Sequence, residues 1–368
     1  MLSYRQGTVK KITKQYPGYT EVIVKNVDDK VSCAINYDNL TGPISVGDTV
    51  IINTTATELG LGTGGYDFVI SNLNRQKKEL TGLGHIMKLR YTPFQFKTLS
   101  VEEEESPYHK IIREKDSLDG AVVIIGTLHS MLSPIAFAIN GISRKKSRVI
   151  YVMTDGASLP LMFSNSVRQL TNNNYIQGSI TAGHAFGGDL EAINIYSALL
   201  AAKWVLKADC IIVCMGPGIV GTGTKWGFTG IEQGQIINAV ASLKGIPIAV
   251  PRVSFADPRT RHRGLSHHTI TVLKHVALAP AIVPFGLSDK AKMEVIIRQW
   301  TENKLNKHKL IIKDTSKEIK KLANSDLNLK TMGRGLEREI DYFSCCLAAG
   351  VQARELINEE QVLNNPLL

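Results

Sequence analysis

Paired thiols, long apolar runs and the common catalytic signatures are all missing from this sequence, and each absence removes a class of protein. There are only five cysteines in 368 residues: Cys33, Cys210, Cys214, Cys345 and Cys346. None forms a CxxC pair. The odd count, with two cysteines in apolar strand-like segments, argues for reduced thiols rather than a disulfide framework. The longest helix-like apolar run, 192–206, is interrupted by Asn194 and Lys203 and is too short to cross a bilayer. The opening MLSYRQGTVKK carries no apolar stretch after its charges, so no signal peptide is expected. There is no GxSxG elbow and no HExxH spacing, which disfavours serine-nucleophile chemistry and a local zinc-protease motif.

What is present is an ordinary globular composition, 43% apolar and 21% charged, with a net charge of +10. The length suits two domains. A cytoplasmic protein with no membrane partner is expected. The basic surplus is uneven: residues 290–321 hold ten Lys/Arg against four Asp/Glu. Such a face can attract nucleic acid. Aromatics do not interleave with these lysines, so a solvated helix face is expected and nucleic acid is not.

Residues 1–75 read as short strands separated by turns at Pro17-Gly18, Asp28-Asp29, Gly42-Pro43, Gly47-Asp48 and Gly64-Gly65. Five strands in this length predict a small all-β barrel of OB or SH3 type, with GLGTGG (60–65) as a loop. Residues 76–119 are transitional, because Pro93 and Pro107 discourage a continuous helix. From 120 to 368 the pattern changes. Apolar runs at Ala121–Gly126, Arg148–Met153, Gln177–Ala182, Cys210–Met215, Pro247–Val253, Ala281–Pro284 and Lys309–Ile312 alternate with helical stretches, one of them 190–207. Strands without a polar face predict an α/β domain, a doubly wound and mostly parallel sheet covered on both sides.

In such a sheet ligands bind beyond the carboxyl ends of the strands. The unusual residues fall there: His129 after the first strand, Asp155 after the second, His184, Asp189 and Glu191 after the third. Asp189 and Glu191 equally suit the N-cap and first turn of a helix starting at 190. The fourth strand runs into GPGIVGTGTKWGFTG, six glycines in fifteen residues. Gly216, Gly218 and Gly221 fit G-x-G-x-x-G, but no helix opens at Gly221, so a dinucleotide site is rejected. With Thr222, Gly223 and Thr224 the loop is instead rich in N–H and hydroxyl groups that can wrap an anion.

The fifth strand runs into the most informative segment, with Arg252, Arg259, Arg261 and Arg263, His262, His267 and His268, and one acid, Asp257. Four guanidiniums in twelve residues call for an anionic partner. His267 and His268 follow Ser266, a candidate N-cap, where histidine tends to stay neutral. The expected catalytic set is His129, Asp155, His184, Asp257, His267 and His268. The expected anion-binding set is the glycine-rich loop with Arg259, Arg261 and Arg263. A divalent metal (Zn, Mn or Fe) on His129, Asp155, His184, Asp189 and Asp257 would suit a thiolate-free donor set.

The segments YVMTDGASLPL, GSITAGHAFGGDLEAINIYSALLAAKWV, MGPGIVGTGTKWGFTGIEQG and VPRVSFADPRTRHRGLSHHT resemble the bacterial domain of unknown function family 3866 over most of the chain. The resemblance implies a bacterial cytoplasmic origin and assigns no residue roles. The residues themselves favour an enzyme acting on a small phosphorylated or carboxylated metabolite by metal-assisted hydrolysis. The alternative is a non-catalytic sensor of a nucleotide-like effector. A homo-oligomer stays open.

Overall fold

A computed structural model describes residues 2–62, 64–75, 81–143 and 146–363. Residue 63 of the GLGTGG loop and residues 76–80 of the expected transitional segment lie outside the described residues. The chain divides into two units, Met1–Thr98 and Leu99–Leu368.

In the first unit alternating apolar residues build a barrel. Strands β1 (Tyr4–Tyr16), β2 (Tyr19–Asn26), β3 (Val31–Tyr37), β4 (Thr49–Asn53) and β5 (Asp67–Asn72) close in the order β1-β2-β3-β5-β4. Only β3 and β5 run parallel, and β4 returns to β1. Val9, Val22, Val24, Ala34, Val50 and Ile52 fill the interior. Register shifts at Val9/Lys11 and Ile12/Lys14 bend the long first strand around it. The hairpin β6 (Ile86–Lys88) and β7 (Phe96–Thr98) belongs to this unit and lies within the stretch expected to be transitional.

The second unit holds β8 (Val122–Ile125), β9 (Val149–Thr154), β10 (Gly178–Ala182), β11 (Leu190–Ala192), β12 (Cys210–Met215), β13 (Ile246–Ala249), β14 (Val253–Ser254), β15 (Gly264–Leu265), β16 (Ile282–Phe285), β17 (Lys309–Ile312), β18 (Lys330–Thr331) and β19 (Arg334–Gly335). Eight of these form one parallel sheet, β11-β10-β9-β12-β8-β13-β16-β17. Both faces are covered, which is why its strands lack polar alternation. Val123, Ile125, Ile211 and Val213 face one helical layer. Val122, Ile124, Cys210, Ile212 and Cys214 face the other, which contains helix Ile340–Leu363. Burial pushes the Cys214 thiol up to about 12 and raises Cys210 as well, so both are packing groups. Among the described residues no helix is long and apolar enough to cross a membrane.

The helix expected at 190–207 begins later. Leu190–Ala192 is instead a short edge strand parallel to β10. Asn194 caps the helix that follows by accepting from the N–H groups of Tyr196 (2.9 Å) and Ser197 (3.1 Å). Neither Asp189 nor Glu191 therefore stands at a helix start.

The order of the central strands sets the site. From β8 the chain crosses over β12 to reach β9, and from β12 it crosses over β8 to reach β13. Connections from these two neighbours leave in opposite directions, the topological position at which parallel sheets bind ligands. Residues 126–129 and the glycine-rich loop from Gly216 emerge there.

Candidate functional site

The segment after β13 folds back on itself. β14 and β15 pair antiparallel, closing residues 255–263 into a loop. The Arg252 carbonyl accepts from the Ser266 N–H (2.9 Å), while the Arg252 N–H donates to Thr269 Oγ1 (3.0 Å). This clasp fixes the start of helix His267–Thr271, whose N-cap is Ser266. A 3-10 turn, Thr260–His262, then brings His262 beside His267 and His268. The candidate donor atoms of the three rings all lie within 4.8 Å of one another.

Two of the three rings are held from outside the group. His262 Nδ1 meets Ser266 Oγ at 2.8 Å, leaving Nε2 to face inward. His268 stacks on Phe228 with ring centroids 3.9 Å apart and planes 5° apart. His267 Nε2 is buried and has no hydrogen-bond partner among the described residues. Burial, followed by Arg252 and Arg259, pushes His262 down to about 3. Burial, followed by the two neighbouring histidines, does the same to His268. Burial and Arg261 lower His267. All three are neutral imidazoles at neutral pH.

The glycine-rich loop lies against this cluster. A Cβ on Gly221 would sit 3.5 Å from His268 Cε1, and one on Gly223 would sit 3.7 Å from the Arg261 guanidinium. Thr222 N–H donates to the Gly227 carbonyl (2.8 Å), and Gly227 N–H donates to Thr224 Oγ1 (3.0 Å), so the loop is braced internally. Gly218 and Gly223 have φ of +104° and +80°, a backbone region costly for other residues.

Asp257 lies at the centre of the arginines and is fully buried. It accepts from Arg259 Nε (2.9 Å) and faces guanidinium nitrogens of Arg259 (2.8 Å), Arg334 (3.3 Å) and Arg252 (3.4 Å). Hydrogen bonding by Arg259 outweighs burial and holds this carboxyl well below the usual range. Asp257 was expected to ligate metal or move protons. Its oxygens are instead committed to guanidiniums. Arg261 and Arg263 are exposed and have no hydrogen-bond or ion-pair partner for their side chains among the described residues.

The other expected metal ligands lie elsewhere. His129 Nδ1 donates to the Met215 carbonyl (3.2 Å), and Nε2 accepts from Ser164 Oγ (2.6 Å). With both nitrogens used and burial pushing it down to about 4, His129 is a stitch between the ends of β8 and β12. Asp189 accepts from Ser179 N–H (2.8 Å) and Ser179 Oγ (3.0 Å), which ties it to β10. Glu191 accepts from Thr181 Oγ1 and Gly187 N–H. Asp155 accepts from His184 N–H (2.9 Å), across a glycine turn where a Cβ on Gly183 would lie 2.3 Å from the carboxylate. Among the described residues, His262, His267 and His268 are the group gathered as a metal site, and none of the five expected ligands belongs to it.

Two residues at the rim escaped the sequence reading. Phe228 could not be foreseen, since its stacking on His268 crosses between loops. Glu232 opens the helix after the glycine-rich loop, where an acid reads as a dipole partner. Its carboxylate accepts from Thr154 Oγ1 at 2.7 Å and is pushed up to about 7 by burial, with Asp155 adding to the rise.

A family model described as protein of unknown function (DUF3866) matches residues 33–350. The chain belongs to this family. No curated protein matches it. The DUF3866 match begins within β3 and ends in the last helix, so it takes in every residue of the rim described above.

Proposed function

We propose that the protein is an enzyme that binds a small phosphorylated or carboxylated metabolite at the carboxyl-end rim of its parallel sheet and hydrolyses it. The observation that carries this reading is the unpaired guanidinium of Arg261, set between the glycine-rich loop and three neutral histidines. The neighbouring Arg252 and Arg259 have an internal carboxylate; Arg261 has none among the described residues. A guanidinium is suited to hold a carboxylate or phosphate by two parallel hydrogen bonds. Imidazoles held neutral beside it keep their lone pairs free to hold an ion that activates an attacking water. Fold alone does not supply this reading, because parallel sheets host many activities.

The test is a hydrolysis screen over phosphomonoesters, nucleotides and carboxylate esters, with Zn, Mn or Fe supplied. Arg261→Ala is expected to lower kcat/KM on any hit by about a hundredfold, the scale of losing a charge-assisted contact of about 3 kcal/mol. A compound that binds in thermal-shift assays and is recovered unchanged after long incubation would overturn hydrolysis in favour of an effector sensor.

A further inference from the structure

We propose that His262, His267 and His268 form a divalent-metal site whose fourth ligand is an oxygen of the anion held by Arg261, so that metal and anion bind as a pair. The donor set comes first. Three imidazoles converge within 4.8 Å, yet no hydrogen bond links any two of the rings. The buried, partnerless Nε2 of His267 is costly as it stands, since a polar atom removed from water wants a partner. A metal ion supplies one partner to all three rings. Bonds of about 2.1 Å in a tetrahedral site would draw the nitrogens to about 3.4 Å apart, a contraction that side-chain rotation can provide.

The outer groups fit this role. In its Nδ1–H tautomer His262 donates to Ser266 Oγ (2.8 Å) and keeps its Nε2 lone pair for an ion. Phe228 holds the plane of His268. Three nitrogen ligands with no fourth side chain among the described residues resemble a catalytic site rather than a closed structural one. An all-imidazole set favours Zn or Fe over Mn, which prefers oxygen.

The surrounding charge explains the pairing. Arg252, Arg259 and Arg334 share Asp257, and Arg334 also meets Glu339. Arg261 and Arg263 add charge that no carboxylate balances among the described residues. A dication on neutral ligands in this setting is opposed by Coulomb repulsion until an anion joins it. Linkage then requires that each ligand tighten the other by the same factor.

This deepens the reading above, on which its anion half rests; the metal half is read directly. The full-length protein is stripped with a chelator and titrated with Co(II), followed by visible absorption, and with Zn(II), followed by calorimetry. Each titration is run with and without inorganic phosphate. One ion per chain, an intense tetrahedral Co(II) spectrum and about tenfold tighter binding with phosphate are expected. His267→Ala and the milder His267→Gln should each abolish the spectrum while the fold melts normally; His275→Ala, exposed on the π-helical turn Val272–Val276 that follows this helix, should keep it. Absence of stoichiometric metal under either condition, or an unchanged spectrum in both His267 variants, overturns the metal site. Phosphate binding that depends on Arg261 but not on metal overturns the pairing and leaves the proposed function standing.

Discussion

His129 and His267 both follow strands of one sheet and differ in how their ring nitrogens are met. Both nitrogens of His129 are answered by the protein, one by a backbone carbonyl and one by Ser164. His267 has a buried nitrogen that nothing answers among the described residues. The arginines divide the same way. Arg252 and Arg259 close on Asp257, whereas Arg261 closes on nothing among the described residues. A residue type at a strand end therefore says little. What separates architecture from a binding site is whether the polar atoms are satisfied from within.

Breaking an internally satisfied group should unfold the protein. Asp257→Asn leaves the buried Arg252 guanidinium without its carboxylate and weakens the brace to Arg334, so a loss of about 3–5 kcal/mol is expected in urea unfolding. A loss below about 1 kcal/mol would show that solvent reaches these guanidiniums. His129→Ala ranks next. It removes a half-buried ring and two hydrogen bonds, and it frees the hydroxyl of Ser164, whose oxygen caps helix Asn165–Asn172 by accepting from Val167 N–H at 3.0 Å. About 2–3 kcal/mol should be lost, with Co(II) binding intact in the folded fraction. Loss of metal without loss of stability would place His129 in the site after all.

The fold was legible because its signals are local and repeated. Apolar runs bounded by glycine-rich or basic turns mark each long strand, and two buried faces follow from them. Leu190–Ala192 was misread because three residues of edge strand run straight into an apolar helix, and only pairing with β10 distinguishes the two. The segment holding the arginines and histidines was legible as a cluster of chemistry. The division of labour within it was not, because Arg334 arrives from seventy-seven positions beyond Asp257 and Phe228 from another loop. His262 was seen but left out of the expected catalytic set. Its approach to His267 depends on the 3-10 turn and the β14–β15 clasp, neither of which has a periodic signature.

Glu232 falls between the two kinds of group and gives the smallest and most specific test. Its carboxylate has a donor in Thr154 but no cation, and Asp155 stands close by. Burial raises it from the ordinary carboxylate range to about 7, so the folded state favours the protonated form. A raised value contributes stability in full below the unfolded carboxyl range, and that contribution is lost as pH rises through about 7. Glu232→Gln mimics the protonated form at every pH. The variant should match the parent near pH 5 and exceed it near pH 8 by about 1–2 kcal/mol, allowing for the partial exposure of the group. Paired urea titrations at the two pH values measure the difference. Equal stability at both would mean that water or a cation reaches this carboxylate, placing Glu232 among the groups awaiting a ligand.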